Sequence, residues 1–265
     1  MLAWCYWLKK GAARDTAPVK LPNCLFLSAG VCKMSASPTC KEGKRPGPMN
    51  IFINKVHFPV TVLGPGRRIG IWMQGCSIGC KGCVSRDTWP RDEGKAMGVD
   101  DLLAWCREIG ANGLDGVTIS GGEPFDQPAA LEALLRGLAH WRQQRRLTFD
   151  ILSYSGYPLA TLRTRHAALL SRLDAVIAEP YVDALPSDHP WCGSSNQKLV
   201  ALSARGKQVY ASRPGSNAPA GKRIQALVDG ERVWYVGIPS RGDMERLEEL
   251  CRARGVEFSQ VSWRS

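Results

Sequence analysis

The chain has 265 residues, and its 35 Lys and Arg against 24 Asp and Glu give a formal net charge of +11. At 44% hydrophobic and 22% charged it has a globular balance, which excludes wholesale disorder. It also lacks the run of roughly 18 apolar residues that a membrane-spanning helix needs. The positive excess permits an acidic partner without requiring one. More than half of it lies in residues 1–48, where eight Lys and Arg face only Asp15 and Glu42, a net of +6 that leaves +5 for the rest of the chain. Neither a nucleic acid nor a membrane is expected as a partner.

Residues 1–48 carry no clear helical or strand period, and Pro18, Pro22, Pro38, Pro46 and Pro48 interrupt them. The opening MLAWCYWLKK is apolar first and basic afterwards, the reverse of a secretory signal. The scattered Cys5, Cys24, Cys32 and Cys40 lack the C-x2-C spacing of a zinc site. The segment reads as a disordered leader, or as sequence upstream of a true start at Met49, where strand pattern begins abruptly.

From Met49 the elements follow in order. Residues 51–62, rich in β-branched and aromatic side chains, predict one or two strands, and Gly64-Pro65-Gly66 punctuates them. Ile69–Met73 reads as a buried strand. Leu102, Cys106 and Ile109 recur at helical spacing behind Asp100 and Asp101. Gly116–Ser120 is a short apolar strand, 128–144 a helix with Leu131, Leu134, Leu135 and Leu138 on one side, and Phe149–Tyr154 a further strand. Leu159–Leu170 reads as one helix and Asp174–Ala178 as a strand. Strands alternating with helices imply right-handed βαβ units and a parallel sheet. A hairpin about Asp229-Gly230 follows, with strands at 223–228 and 233–238. The helix Met244–Arg254 is closed by Gly255, and a last strand is expected at 256–261. This divides the chain into 1–48, a core of 49–221, and a ββα extension of 222–265 packed on that core.

The most informative stretch is Cys76-Ser77-Ile78-Gly79-Cys80-Lys81-Gly82-Cys83. Three thiols at C-x3-C-x2-C spacing sit among Gly75, Gly79 and Gly82, which allow a tight loop to turn several sulfurs toward one point. Three convergent thiolates can hold three irons of a 4Fe–4S cluster and leave the fourth iron open, as catalysis requires, whereas electron-transfer clusters take four ligands. A zinc site completed by a distant Cys106, Cys192 or His57 is the competing reading. Gly121-Gly122-Glu123-Pro124 stands where the strand 116–120 ends, the position at which parallel α/β folds bind ligands. Gly-Gly lets the backbone approach a ligand, and Glu123 can accept from an ammonium group. A plain strand-to-helix turn with a capping Glu would use the same residues.

The cysteine loop and the GGEP turn together resemble the radical S-adenosylmethionine (SAM) superfamily. The chain is more closely similar to the activating proteins of glycyl radical enzymes. Further matches are Gly64-Pro65-Gly66-Arg67, Gln74-Gly75-Cys76, Gly82, Ser155-Gly156-Tyr157 and Gly193-Ser194-Ser195-Asn196-Gln197. The resemblance spans roughly residues 49–200 and implies an α/β fold, an incomplete (β/α) barrel with the hairpin and helix as a C-terminal extension. It implies that Cys76, Cys80 and Cys83 ligate one 4Fe–4S cluster, and that Gly121, Gly122, Glu123 and Pro124 hold the SAM amino group. Ser153 and Ser155 are candidates for its ribose or carboxylate. The implied reaction is reductive cleavage of SAM to a 5′-deoxyadenosyl radical, which abstracts hydrogen from a glycine of a partner such as anaerobic ribonucleotide reductase. A flavodoxin- or ferredoxin-like donor and a reducing cytoplasm go with it.

The chain departs from the activator pattern at Val84-Ser85-Arg86-Asp87, where an aromatic and Asn are usual, and at Cys192, where a basic residue is common. These departures bear on the partner more than on the cofactor. Modification of a peptide or small molecule by the same chemistry, and a non-catalytic metal-binding module, therefore stand as alternatives. His57, His140, His166 and His189 show no metal-ligand spacing.

Overall fold

The structure, a computed structural model, describes residues 3–7, 49–211, 224–229 and 232–256, together with Phe258 and Val261. Its strands are β1 (Ala3–Trp7), β2 (Asn50–Val60), β3 (Arg68–Met73), β4 (Ala96–Gly98), β5 (Gly116–Gly121), β6 (Asp150–Tyr154), β7 (Ala175–Ala178), β8 (Lys198–Ala201), β9 (Ile224–Asp229) and β10 (Arg232–Gly237). Its helices are α1 (Val99–Ile109), α2 (Pro128–Gln144), α3 (Leu159–Arg165), α4 (Ala167–Leu170), α5 (Ala204–Tyr210) and α6 (Asp243–Arg252).

Seven strands form one sheet in the order β4-β2-β3-β5-β6-β7-β8. The four central strands are parallel, as the β-α alternation requires; at one edge β2 runs antiparallel to β3 and β4 antiparallel to β2, and at the other β8 runs antiparallel to β7. Every residue of β3, β5, β6 and β7 is buried. These strands are covered on both faces, which is why they read as continuous apolar runs. Residues 51–62 resolve into the single strand β2. Its pairing with β3 slips between His57 and Val60, beside Pro59, which has no N–H to give to a ladder.

Helices α1 to α4 cover one face. α1 buries Leu102, Leu103, Trp105 and Cys106, and α2 buries Leu131, Leu134, Leu135, Leu138 and Trp141, all in one core with Ile69, Ile71, Val117, Ile119, Ile151 and Val176. The helix expected over 159–170 is two. His166 leaves helical geometry (φ −130°, ψ 27°), so that Leu162 before it and Leu169 and Leu170 after it all reach the core. The short strands β4 and β8 and the helix α5 carry no periodic signal of their own and were not expected. At the far end of the parallel strands Arg68 is fully buried and makes two 2.8 Å bonds to the Asp150 carboxylate, which also accepts from Tyr210 Oη.

The opposite face packs a second core of Val60, Leu63, Trp72, Leu152, Tyr154 and Ile177, closed by Val236 and Ile238 from the C-terminal hairpin. Gln225 of the hairpin donates to Pro59 O and accepts from Thr61 N. The hairpin forms where expected, with Arg232 opposite Asp229, and β1 adds to it as a third antiparallel strand. Of the leader expected over 1–48, Ala3–Trp7 alone is described; residues 8–48 lie outside the described ones. After α6, Gly255 (φ +73°) closes the helix, with Val256 N bonding back to Cys251 O. Of the strand expected at 256–261, only Val256, Phe258 and Val261 are described.

Candidate functional site

The site is built at the carboxyl ends of β3, β5 and β6. β3 runs out at Met73 into Gln74, whose amide donates to Asp87 O and Pro90 O and accepts from Asn54. This returns residues 86–90 alongside the chain leaving β3, where Gly75 N bonds Thr88 O and Cys76 N bonds Trp89 O. The cysteine loop bulges between these two anchored segments. Gly75, Gly79 and Gly82 all adopt positive φ (+95°, +58° and +78°), the conformation anticipated for turning three thiols inward.

β5 ends beside it. Gly122 N bonds Met73 O and Glu123 N bonds Gly75 O, so the turn lies flat against the start of the loop. A Cβ on Gly122 would fall 2.0 Å from Gly75 O. Only glycine permits that approach. The Glu123 side chain spans to the end of β6. It accepts from Ser155 Oγ (2.9 Å), Gly156 N (2.7 Å) and Phe125 N (3.0 Å). Burial pushes its carboxyl up to about 7, although those three donors favour the ionised form. A cation seated there would restore the charge balance.

Cys76, Cys80, Cys83, Gly121, Gly122, Glu123 and Ser155 line one open cleft. Two expected residues do not. Ser153 is a fully buried strand position whose hydroxyl donates to Tyr154 O, and Pro124 is buried at the start of the short turn after Glu123. Sequence reasoning missed Ser120, whose Oγ is buried in the cleft wall with no hydrogen-bond partner, although it directly precedes the glycine pair. It also missed Tyr154, Tyr181, Gln197 and Ile238. The segment Gly193–Gln197 fastens the long connection between β7 and β8: Gln197 accepts from Gly193 N and donates to Glu179 O, and Ser194 Oγ accepts from Val182 N.

The thiols suit a cluster. All three are free and partly exposed to the cleft. Burial raises Cys76 and Cys80 above the ordinary thiol range, so thiolates here need a positive group to offset them. Among the described residues no three His, Cys, Asp or Glu side chains gather closely enough for a single metal ion. Cys106 cannot complete a zinc site either. It lies in the helix-side core, and burial pushes its thiol up to about 12.

Residues 62–200 match the family described as 4Fe-4S single cluster domain. The chain belongs to this family of iron–sulfur proteins, and within it to the radical SAM activating proteins. It is 29% identical to the anaerobic ribonucleoside-triphosphate reductase-activating protein of Enterobacteria phage T4, over 52% of this chain and 86% of that one. With the protein of the same name from Vibrio cholerae it shares 30% identity over 54% of this chain and 94% of that one. With pyruvate formate-lyase 1-activating enzyme of Escherichia coli it shares 43% identity over 71 residues, 25% of this chain and 28% of that one. Among the described residues no helix is long and apolar enough to cross a membrane.

Proposed function

We propose that Cys76, Cys80 and Cys83 ligate one 4Fe–4S cluster, that SAM lies in the adjoining cleft, and that the protein installs a glycyl radical on a partner enzyme such as anaerobic ribonucleotide reductase. The observation that carries this reading is the convergence of three free cysteines and the Gly121-Gly122-Glu123 turn on one cleft at the carboxyl ends of parallel strands. When bound, the cluster supplies the electron that cleaves the SAM sulfonium to methionine and the hydrogen-abstracting 5′-deoxyadenosyl radical.

The chain's own residues bind, orient and shield. Gly121 and Gly122 let the backbone approach the methionine end of SAM, and the Glu123 carboxylate draws its ammonium group toward the end of β5. Ser120 Oγ, buried without a partner, offers a hydroxyl to a polar group of SAM, and Ser155 holds Glu123 in place. Tyr154, Tyr181 and Ile238 wall the cleft and exclude water from the radical. The open sheet, with α1 to α4 on one face and the hairpin on the other, reads as an incomplete (β/α) barrel, with 49–221 as the core and 222–265 as an extension packed on it. A flavodoxin- or ferredoxin-like donor and a reducing cytoplasm suit a cluster open to solvent.

The test is anaerobic reconstitution with iron and sulfide. A brown protein that cleaves SAM under reductant is expected, with cleavage abolished in Cys80→Ala. A glycyl radical EPR signal on a co-incubated reductase marks the activator. A colourless zinc protein, or full activity in Cys80→Ala, refutes the reading.

A further inference from the structure

Residues 74–85 contain neither helix nor strand; within the cysteine loop Cys83 N–H bonds Cys80 O at 3.0 Å, and the Ile78 and Gly79 N–H groups face the Cys76 thiol. A carboxylate outside the loop grips it from the side. Asp126, the last residue of the short turn Pro124–Asp126 after the glycine pair, accepts from Ser77 N at 2.7 Å and Ser77 Oγ at 2.9 Å. Its Oδ1 also accepts from Tyr157 Oη at 2.8 Å, and the Ser77 and Tyr157 hydroxyl oxygens lie 3.1 Å apart. Three groups, from the turns that follow β3, β5 and β6, thus close a ring. The contact extends to Ile78, which rests on the β6 turn so closely that a Cβ on Gly156 would lie 3.0 Å from its Cγ1.

We propose that Asp126 is a positioning residue that fixes the cysteine loop, and any cluster on it, at a set distance from the strand-end cleft that receives SAM. This rests on the function proposed above. Assembly of a cluster needs the three thiols. Coupling it to SAM needs the thiols and the cleft held in register, and Asp126 is bonded to both sides. A loop freed from this grip can still collect iron, but it spends less of its time where SAM can bridge to it. A shift of about 1 Å at such a junction costs on the order of a hundredfold in rate. Losing the charge-assisted bonds to Ser77 should weaken SAM binding by roughly tenfold or more.

Full-length wild type, Asp126→Ala, Asp126→Asn and Tyr157→Phe are reconstituted anaerobically with iron and sulfide. Iron per chain is then measured, and the EPR spectrum of the reduced cluster is followed as SAM is added. Iron content should match wild type in every variant. The SAM concentration at the midpoint of the spectral change should rise about tenfold or more in Asp126→Ala. It should rise less in Asp126→Asn, which keeps one acceptor oxygen, and least in Tyr157→Phe, which loses a single bond. An unchanged midpoint in Asp126→Ala overturns the inference, as does parallel loss of iron and SAM response, which would make the residue merely structural. If Asp126→Ala fails to fold, Tyr157→Phe decides by the same midpoint. Wild type that takes up no iron overturns the proposed function, and its iron content tells that failure apart from an unchanged midpoint.

Discussion

Glu123→Gln separates the electrostatic cost of a buried carboxylate from its bonding role. In the ligand-free protein burial pushes the carboxyl up to about 7, from an ordinary value of 4.5. It therefore keeps its proton in the fold over a range where the unfolded chain has already released it. Stability is fully present below about 4.5, falls as pH rises toward about 7, and is flat above. A rise of about 2.5 in pKa corresponds to about 3 kcal/mol, of which about 2–3 kcal/mol falls between pH 5 and pH 8. Glutamine cannot ionise, so it removes this slope. It also retains an acceptor for Phe125 N and Ser155 Oγ but turns an amide NH2 toward Gly156 N. That donor-to-donor contact costs about 1–3 kcal/mol at every pH. Wild type should thus exceed the variant in stability at pH 5 and lose about 2–3 kcal/mol of that advantage by pH 8. Urea unfolding of the reduced, cluster-free proteins at a series of pH values measures it. A stability difference that does not change with pH refutes the reasoning.

Other substitutions probe the two ends of the sheet. Arg68→Met leaves Asp150 buried without its guanidinium partner and should cost about 3–5 kcal/mol in urea unfolding; a loss under about 1 kcal/mol would mean the pair is not buried as described. Ser120→Ala removes a hydroxyl with no partner, so the apo stability should hold within about 0.5 kcal/mol while SAM affinity, read by equilibrium dialysis on the reconstituted protein, falls several-fold. Ser153→Ala should leave that affinity unchanged, because its hydroxyl is turned to Tyr154 O; a weakened Ser153→Ala would reverse the assignment of the two serines.

The cysteine spacing, its three glycines and the Gly121-Gly122 turn were legible in the chain, because the conformations they permit are decided within a few residues. So were the phases of α1 and α2, whose apolar stripes face one sheet, and the buried parallel strands, which are mostly apolar. Which serine faces the cleft was not legible. Ser120, Ser153 and Ser155 all lie at strand ends, and a hydroxyl changes face with each residue along a strand. Only the pairing of β5 with β6 assigns them: one to the cleft wall, one to a strand carbonyl and one to Glu123. The break at His166 follows from three leucines that must reach one core, a demand no local helical pattern contains. The sequence assigned no role to Asp126 and read Ile238 as part of a distant strand. Each gained its place from contacts with residues more than 30 positions away in the chain. What this sequence determined alone was the set of groups able to hold a cluster, because thiols and glycines carry that capacity in their own chemistry. Where those groups stand against the cleft was decided by tertiary structure, because hydrogen bonds such as Ser77 to Asp126 form only once strand order has brought separate turns to the same end of the sheet.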